Sequence, residues 1–464
     1  MMGNDSKKFL FFVGILLLGI YSDRILPVRS WASSDSPDKP VASSENQTIS
    51  PEPWYKRIEA QWGGRLRILG SVSSYDDDTI FAAVQNDPYY DGAADFRLTN
   101  VTYLNPRLYF AIDYEAILSG GDTRRVQNEL QSLLPDTIPD DFIIIRGPVT
   151  DEFRFFDLTK TISEGNSYIL YNRLDRLSLT VEPEWGMVRI GRQAVTWGNG
   201  FLFNPMDLFN PFAPTQIDRD YKIGDDMVYT LYSLGQTGDF QLLYVPRRDL
   251  ESGNVKWNQS SLAGKLHFAV STTEFDVMAA AHYGDFVTGF GSRGYLGDAA
   301  WRLDATWTFL LHEDSDQDGY LSLVANMDYS WVWWRKNLYG FIEFYFDGLG
   351  EENYSEAITN QALMERIVRG ETFTLGRKYL SASVKVELHP LFNVFLTSIN
   401  NVADPSGILQ PYAVWDLAKS FQLTFGGTIP WGGSETEFGG FTMPGTEFQF
   451  QPSVNAFLWL TYYF

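Results

Sequence analysis

From Trp54 to the C-terminus, apolar side chains return at every second position over segments of about ten residues. In Gly319–Trp334 one face carries Leu321, Leu323, Ala325, Met327, Tyr329, Trp331 and Trp333. The other carries Ser322, Asn326, Asp328 and Ser330. Trp301–Leu311 and Tyr379–Leu388 repeat the pattern, with Arg302, Asp304, Thr306 and Thr308, and then Ser381, Ser383, Lys385 and Glu387, on the polar side. A repeat of two is the repeat of a strand. After the N-terminal run no stretch reaches the ~18 consecutive apolar residues of a helical span. A soluble sandwich would alternate too. The long unbroken apolar faces and the aromatics at strand ends favour strands that cross a bilayer. In lipid only a closed barrel pairs every strand's backbone groups. The fold class expected is therefore all-β, a transmembrane antiparallel β-barrel.

The chain divides into three parts. Lys7 and Lys8 precede the apolar run Phe9–Tyr21, and Ser30-Trp31-Ala32 offers small residues at a cleavage site. This reads as a secretory signal peptide over residues 1–32. Residues 33–55 are rich in Ser, Pro and Asp and bury too little to fold, so a disordered periplasmic tail is expected. Residues 56–464 form the barrel. The formal net charge of −22 argues against nucleic acid as a partner, and the absence of cysteine excludes disulfides and thiolate metal sites.

The last residues sharpen the reading. Val454, Ala456, Leu458, Leu460, Tyr462 and Phe464 alternate with Ser453, Asn455, Thr461 and Tyr463, and the chain ends on an aromatic residue. Together with the signal peptide this resembles the closing strand of bacterial outer-membrane β-barrels of the porin type. The resemblance implies a bacterial outer-membrane location and recognition by the barrel assembly machinery through Phe464. It also implies contact with outer-membrane lipid and lipopolysaccharide.

About 18 strand segments can be counted, with 16 to 20 as the bounds. Residues 142–146 (FIIIR) and 153–158 (FRFFDL) would add a hairpin, whereas weak alternation in three segments would remove one. Short connections at Asn105-Pro106, Pro183-Glu184, Gln236-Thr237, Thr272, Gly297, Arg335-Lys336, Pro390 and Ala418 alternate with long ones such as 119–166, 196–226, 248–261, 348–373 and 430–452. Both termini then lie on the periplasmic side.

The third long connection, residues 196–226, is apolar, and Pro205, Pro211 and Pro214 keep it from being a strand. By position and composition it resembles the inward-folded constriction loop of porins. Trp197, Asn199, Phe203, Asp207, Phe209, Asp218, Arg219, Asp220 and Lys222 would then stand at the narrowest point. A lid on the rim, or a subunit contact in a homo-oligomer, is the competing reading. Facing the lumen elsewhere are Arg65, Arg67, Asp113, Glu115, Lys265, Asp276, Arg302, Asp304, Glu343 and Lys385. This mixture of signs implies modest ion preference, or ion pairs between strands.

Asp314, Asp316 and Asp318, followed by Gly319, match the first half of a Ca²⁺-binding loop, but the position for its last acidic ligand is Ala325. A plain acidic turn is the stronger reading, and no other cofactor is expected. The four histidines, His267, His282, His312 and His389, show no hydrolase spacing, so an enzyme is not expected. The function expected is a porin-like channel for passive diffusion of small hydrophilic solutes. A polysaccharide export barrel and a non-conducting scaffold for a periplasmic or surface partner are the alternatives.

Overall fold

A computed structural model describes residues 58–133, 150–311, 317–442 and 449–464. The signal peptide, the tail, the FIIIR segment, Asp314 and Asp316 lie outside the described residues. The strands begin with β1 (Glu59–Ser74), β2 (Tyr89–Asn105), β3 (Leu108–Gly121), β4 (Thr159–Gly165), β5 (Tyr168–Val181), β6 (Gly186–Gln193) and β7 (Asp225–Ser233). They continue with β8 (Gly238–Val245), β9 (Ser261–Val270), β10 (Thr273–His282), β11 (Asp285–Leu296), β12 (Ala299–Phe309), β13 (Gly319–Trp333) and β14 (Lys336–Asp347). The last are β15 (Lys378–His389), β16 (Phe392–Asn401), β17 (Ser406–Ala418), β18 (Phe421–Trp431), the short pair β19 (Phe441–Thr442) and β20 (Gln449–Phe450), and β21 (Val454–Tyr463). Among the described residues, three short helices sit in the long connections: α1 (Asp122–Leu133), α2 (Tyr354–Ala357) and α3 (Gln361–Arg369).

Eighteen of these strands form one antiparallel wall, and β21 closes it on β1 from Arg65↔Tyr463 to Ser74↔Val454. Closure leaves no edge strand, which is what strands in hydrocarbon require. The polarity is inverted relative to a soluble barrel. Leu323, Ile342, Leu380, Leu396 and Leu458 point outward and are exposed or half-exposed, Ile342 by 52%. Ser322, Asn326, Asp304, Glu343 and Ser381 point inward and are buried. Such an exterior is stable against lipid rather than water.

Connections at one end are tight, such as Gly297-Asp298, where Gly297 takes φ 62 and so supplies the left-handed residue the turn needs. At the other end most are long, although β10 and β11 are joined there by Tyr283-Gly284 alone. An epitope inserted at Ser252-Gly253, an exposed tip of the loop end, is expected to be stained on intact cells. One at Arg335-Lys336 is expected to need permeabilised cells, and the reverse pattern would invert the assigned orientation.

Residues 153–158 do not form a strand, and the pairing segment next to them, β4, adds no nineteenth place in the wall. β6 pairs with β5 only from Leu177↔Arg192 to Val181↔Val188, and the chain leaves the wall after Gln193. Above that point β4 takes the same side of β5, from Thr159↔Arg173 to Gly165↔Tyr168. Two short pieces thus share one strand position. The patch keeps the backbone of β5 paired where the chain turns inward.

Candidate functional site

The connection that leaves β6, residues 194–224, runs inside the barrel. Its first half is held by wall carboxylates. The Asn199 backbone N–H donates to Asp304 Oδ2 (2.5 Å) and its side-chain amide to Oδ1 (2.8 Å). The backbone N–H groups of Phe201, Leu202 and Phe203 all donate to Glu343, at 2.6, 2.9 and 2.9 Å. Asn326, between them on β13, donates to Glu343 Oε2 (3.1 Å) and to the Asn199 carbonyl (3.2 Å). A proline-broken loop pairs few of its own amides, Asp207 with the Asn204 carbonyl and Gln216 with that of Ala213 among them, and the other buried amides need acceptors. Asp304 and Glu343 supply them. Ring contacts complete the seat, with Phe203 stacked on Tyr345 at 4.3 Å and Phe201 on Phe341 at 4.5 Å.

The chain then doubles back. Met206 and Phe209 pack with the buried Trp197 against Met278 and Val287, and the Trp197 indole donates to Gln241 Oε1 (2.7 Å). Asp207 and Lys222 form a buried pair (2.6 Å), and Lys222 also donates to the Val195 carbonyl (2.5 Å), closing the base of the loop. Burial pushes the Asp207 carboxyl up and the Lys222 ammonium down, and each group opposes the shift of the other.

The second half crosses to the remaining wall. Gln410 of β17 donates to the Thr215 carbonyl (3.0 Å). Asp218 pairs with Arg65 and Arg67, and Asp220 with Arg65 (3.0 Å). Tyr463 donates to Asp220 Oδ2 (3.1 Å), and the Tyr221 ring lies under the Arg97 guanidinium at 3.9 Å. Arg219 turns back on the loop, donating to the Pro214 and Gln216 carbonyls and to that of Phe201. A segment that leaves between β6 and β7 therefore touches β8, β12, β13, β14, β17, β21, β1 and β2. It spans the lumen.

The inward charges resolve largely into pairs. Arg97 meets Asp113 (3.0 Å), Glu115 and Asp175 (2.6 Å), and Arg173 meets Glu115 at 2.5 Å. Arg65 and Arg67 share Asp95, Lys265 reaches Asp276 at 3.5 Å, and Arg302 reaches Asp328 at 2.5 Å. Lys385 faces the Phe395 ring at 5.8 Å. Asp207, Asp218, Asp220 and Lys222 hold the loop in place through these bonds rather than standing as unpaired charges.

Several partners were not anticipated, among them Asp95, Asp175, Asn326, Gln241 and Gln410. All are polar residues facing inward, so alternation could have placed them on the right face but not named their partners. A second unanticipated group joins Ser261 Oγ to His282 Nδ1 (2.8 Å) and His282 Nε2 to Glu371 Oε1 (3.2 Å). Ser261 has no exposed surface, and Arg247 donates to the same hydroxyl (2.6 Å). The group therefore ties the 348–377 connection to the wall. Of the three candidate Ca²⁺ ligands only Asp318 is described, and its carbonyl accepts from the Leu310 amide (3.1 Å).

No protein-family model matches the sequence, and no curated protein matches it. Solved structures with a similar arrangement include Acinetobacter baumannii OccAB3, with 9% identity, 88% of this chain and 99% of that chain covered, and a TM-score of 0.49. A BenF-like porin from Pseudomonas fluorescens Pf-5 shares 8% identity over 88% of this chain and 98% of its own, with a TM-score of 0.47. Pseudomonas aeruginosa OpdK with vanillate shares 9% identity over 87% and 98%, with a TM-score of 0.46. At this distance the site is read from its own residues.

Proposed function

We propose that this chain is a channel of the bacterial outer membrane that passes small hydrophilic solutes by diffusion, with residues 194–224 as its constriction. The observation that carries the reading is the loop itself. It crosses the lumen enclosed by eighteen strands, a number that in membrane barrels leaves room for an aqueous path, and is bonded to both sides of the wall. Selectivity in such a path comes from pore diameter and from the polar groups that line it. The turn end and the N-terminal tail face the periplasm, the long connections face outward, and Phe464 serves recognition during assembly.

Purified protein in a planar bilayer is expected to give discrete, ohmic conductance steps. The paired lumen charges predict only a modest cation-to-anion preference, read from the reversal potential in a salt gradient. Membrane insertion without conductance steps would favour a scaffold whose lumen the loop has filled.

A further inference from the structure

The interior has two chemically different sides. On β1–β12 the inward positions carry the ion-paired arginines and carboxylates described above. On β14–β21 the inward carboxylates Glu343, Asp347 and Glu387 are held by amides and hydroxyls instead. There the ladder aligns Tyr339, Lys385, Phe395, Tyr412, Gly426 and Phe457 in one continuous row, each paired directly with the next. The row lies across the strands, so in a barrel of tilted strands it climbs obliquely along the wall. Two positions nearer the loop end runs a parallel row of uncharged groups: Ser383, Thr397, Gln410, Thr428, Asn455 and Ser73. Hydroxyls and amides both give and accept hydrogen bonds, and a hydroxyl keeps acceptor capacity after one bond is made.

Gly426 interrupts the aromatic row. Tyr412 stacks one face on Phe395, with centroids 4.6 Å apart and planes 1° from parallel. On the next strand, β18, the residue paired with Tyr412 is Gly426. No side chain fits there, because a Cβ on Gly426 would lie 2.4 Å from the Tyr412 Cβ. Phe457 stands one strand further on, roughly 10 Å from Tyr412 at the usual strand spacing, with its ring against Trp459 at 5.1 Å. The two strands approach closely at Gly426, so the rings of Phe395 and Tyr412 on one side and Phe457 on the other flank a position without a side chain, beside the row of neutral groups, in which Ser383, Thr428 and Asn455 are half-buried and Ser73, Thr397 and Gln410 buried.

We infer that this side of the lumen binds a neutral, polyhydroxylated ring, that is, a carbohydrate. A sugar ring offers an apolar C–H face for an aromatic surface and a rim of hydroxyls that must keep hydrogen-bond partners when water is displaced. The row of rings and the row of hydroxyls and amides match those two demands. A charged solute finds only Lys385 among these positions. The inference rests on the channel reading and narrows its solute class.

The test is blockade of single-channel current by maltohexaose, compared with benzoate, on reconstituted wild-type, Tyr412→Ala and Thr428→Ala barrels. Assembly is checked for each by heat-modifiable mobility. Concentration-dependent block by maltohexaose, weakened at least tenfold in Tyr412→Ala and measurably in Thr428→Ala, is the expected result. Conductance that benzoate blocks and maltohexaose does not would overturn the carbohydrate site while leaving the channel reading intact. Sugar block of equal strength in both assembled variants would also overturn it. Absence of conductance in the wild type would remove the channel reading and this inference with it.

Discussion

Deletion of Phe201–Pro214 is expected to raise single-channel conductance several-fold and to relax size exclusion, because the barrel loses the segment that spans it. The wall should survive. β6 and β7 pair with each other from Gly186↔Tyr232 to Gln193↔Asp225 without help from the loop, and β4 patches the place where β6 ends. A gentler variant separates the seat from the segment. Glu343→Gln keeps the shape but replaces a charged acceptor that holds three consecutive amides. Hydrogen bonds to charged groups contribute about 1.5–3 kcal/mol each, so even partial loss should loosen the loop tip and add conductance levels or noise. Asp304→Asn should act in the same direction, and less strongly, since among the described residues Asn199 alone depends on it. Unchanged conductance in the deletion, with normal assembly shown by heat-modifiable mobility, would take the loop out of the conduction path.

The contacts that make this loop a site were only half readable in the chain. Its apolar density and three prolines mark it as neither strand nor solvated loop, and that much is local. Its acceptors are not local: Glu343 lies about 140 positions from the amides it receives, and Asp304 lies 105 from Asn199. Alternation puts both carboxylates on the inner face, yet says nothing about which of many inner polar groups the loop will meet. The wall is the opposite case. Most strands declare their face through a repeat of two, and antiparallel neighbours joined by short turns leave little freedom in register. The exception is β4, whose segment (TKTISEG) has one large apolar residue and pairs only because β6 stops short. The charges behave similarly: signs and faces follow from the pattern, whereas the trio around Arg97 joins three strands and needs the closed sheet.

Arginine in place of Val384 is expected to destabilise the inserted barrel by about 2–4 kcal/mol, the largest stability effect the fold predicts. Val384 sits in the middle of β15 on the outer face, 37% exposed, between strands whose outward neighbours are Gly340 and Leu396. Arginine on the lipid face near the bilayer midplane costs about 2–4 kcal/mol, and an apolar exterior offers no anion to offset it. Ser383, one residue earlier, points inward and shares a hydrogen bond with Thr397 (2.8 Å). Arginine there reaches a polar lumen and should cost far less. Ser322 is a poorer inner control than alternation alone suggests, because it is buried against Asp347 (3.3 Å) and leaves no room for a guanidinium. Urea titration of the refolded barrel in lipid vesicles, read by heat-modifiable mobility, measures the difference between the two arginine variants. Equal stability would mean that the two faces see the same medium, which a closed barrel in lipid cannot allow.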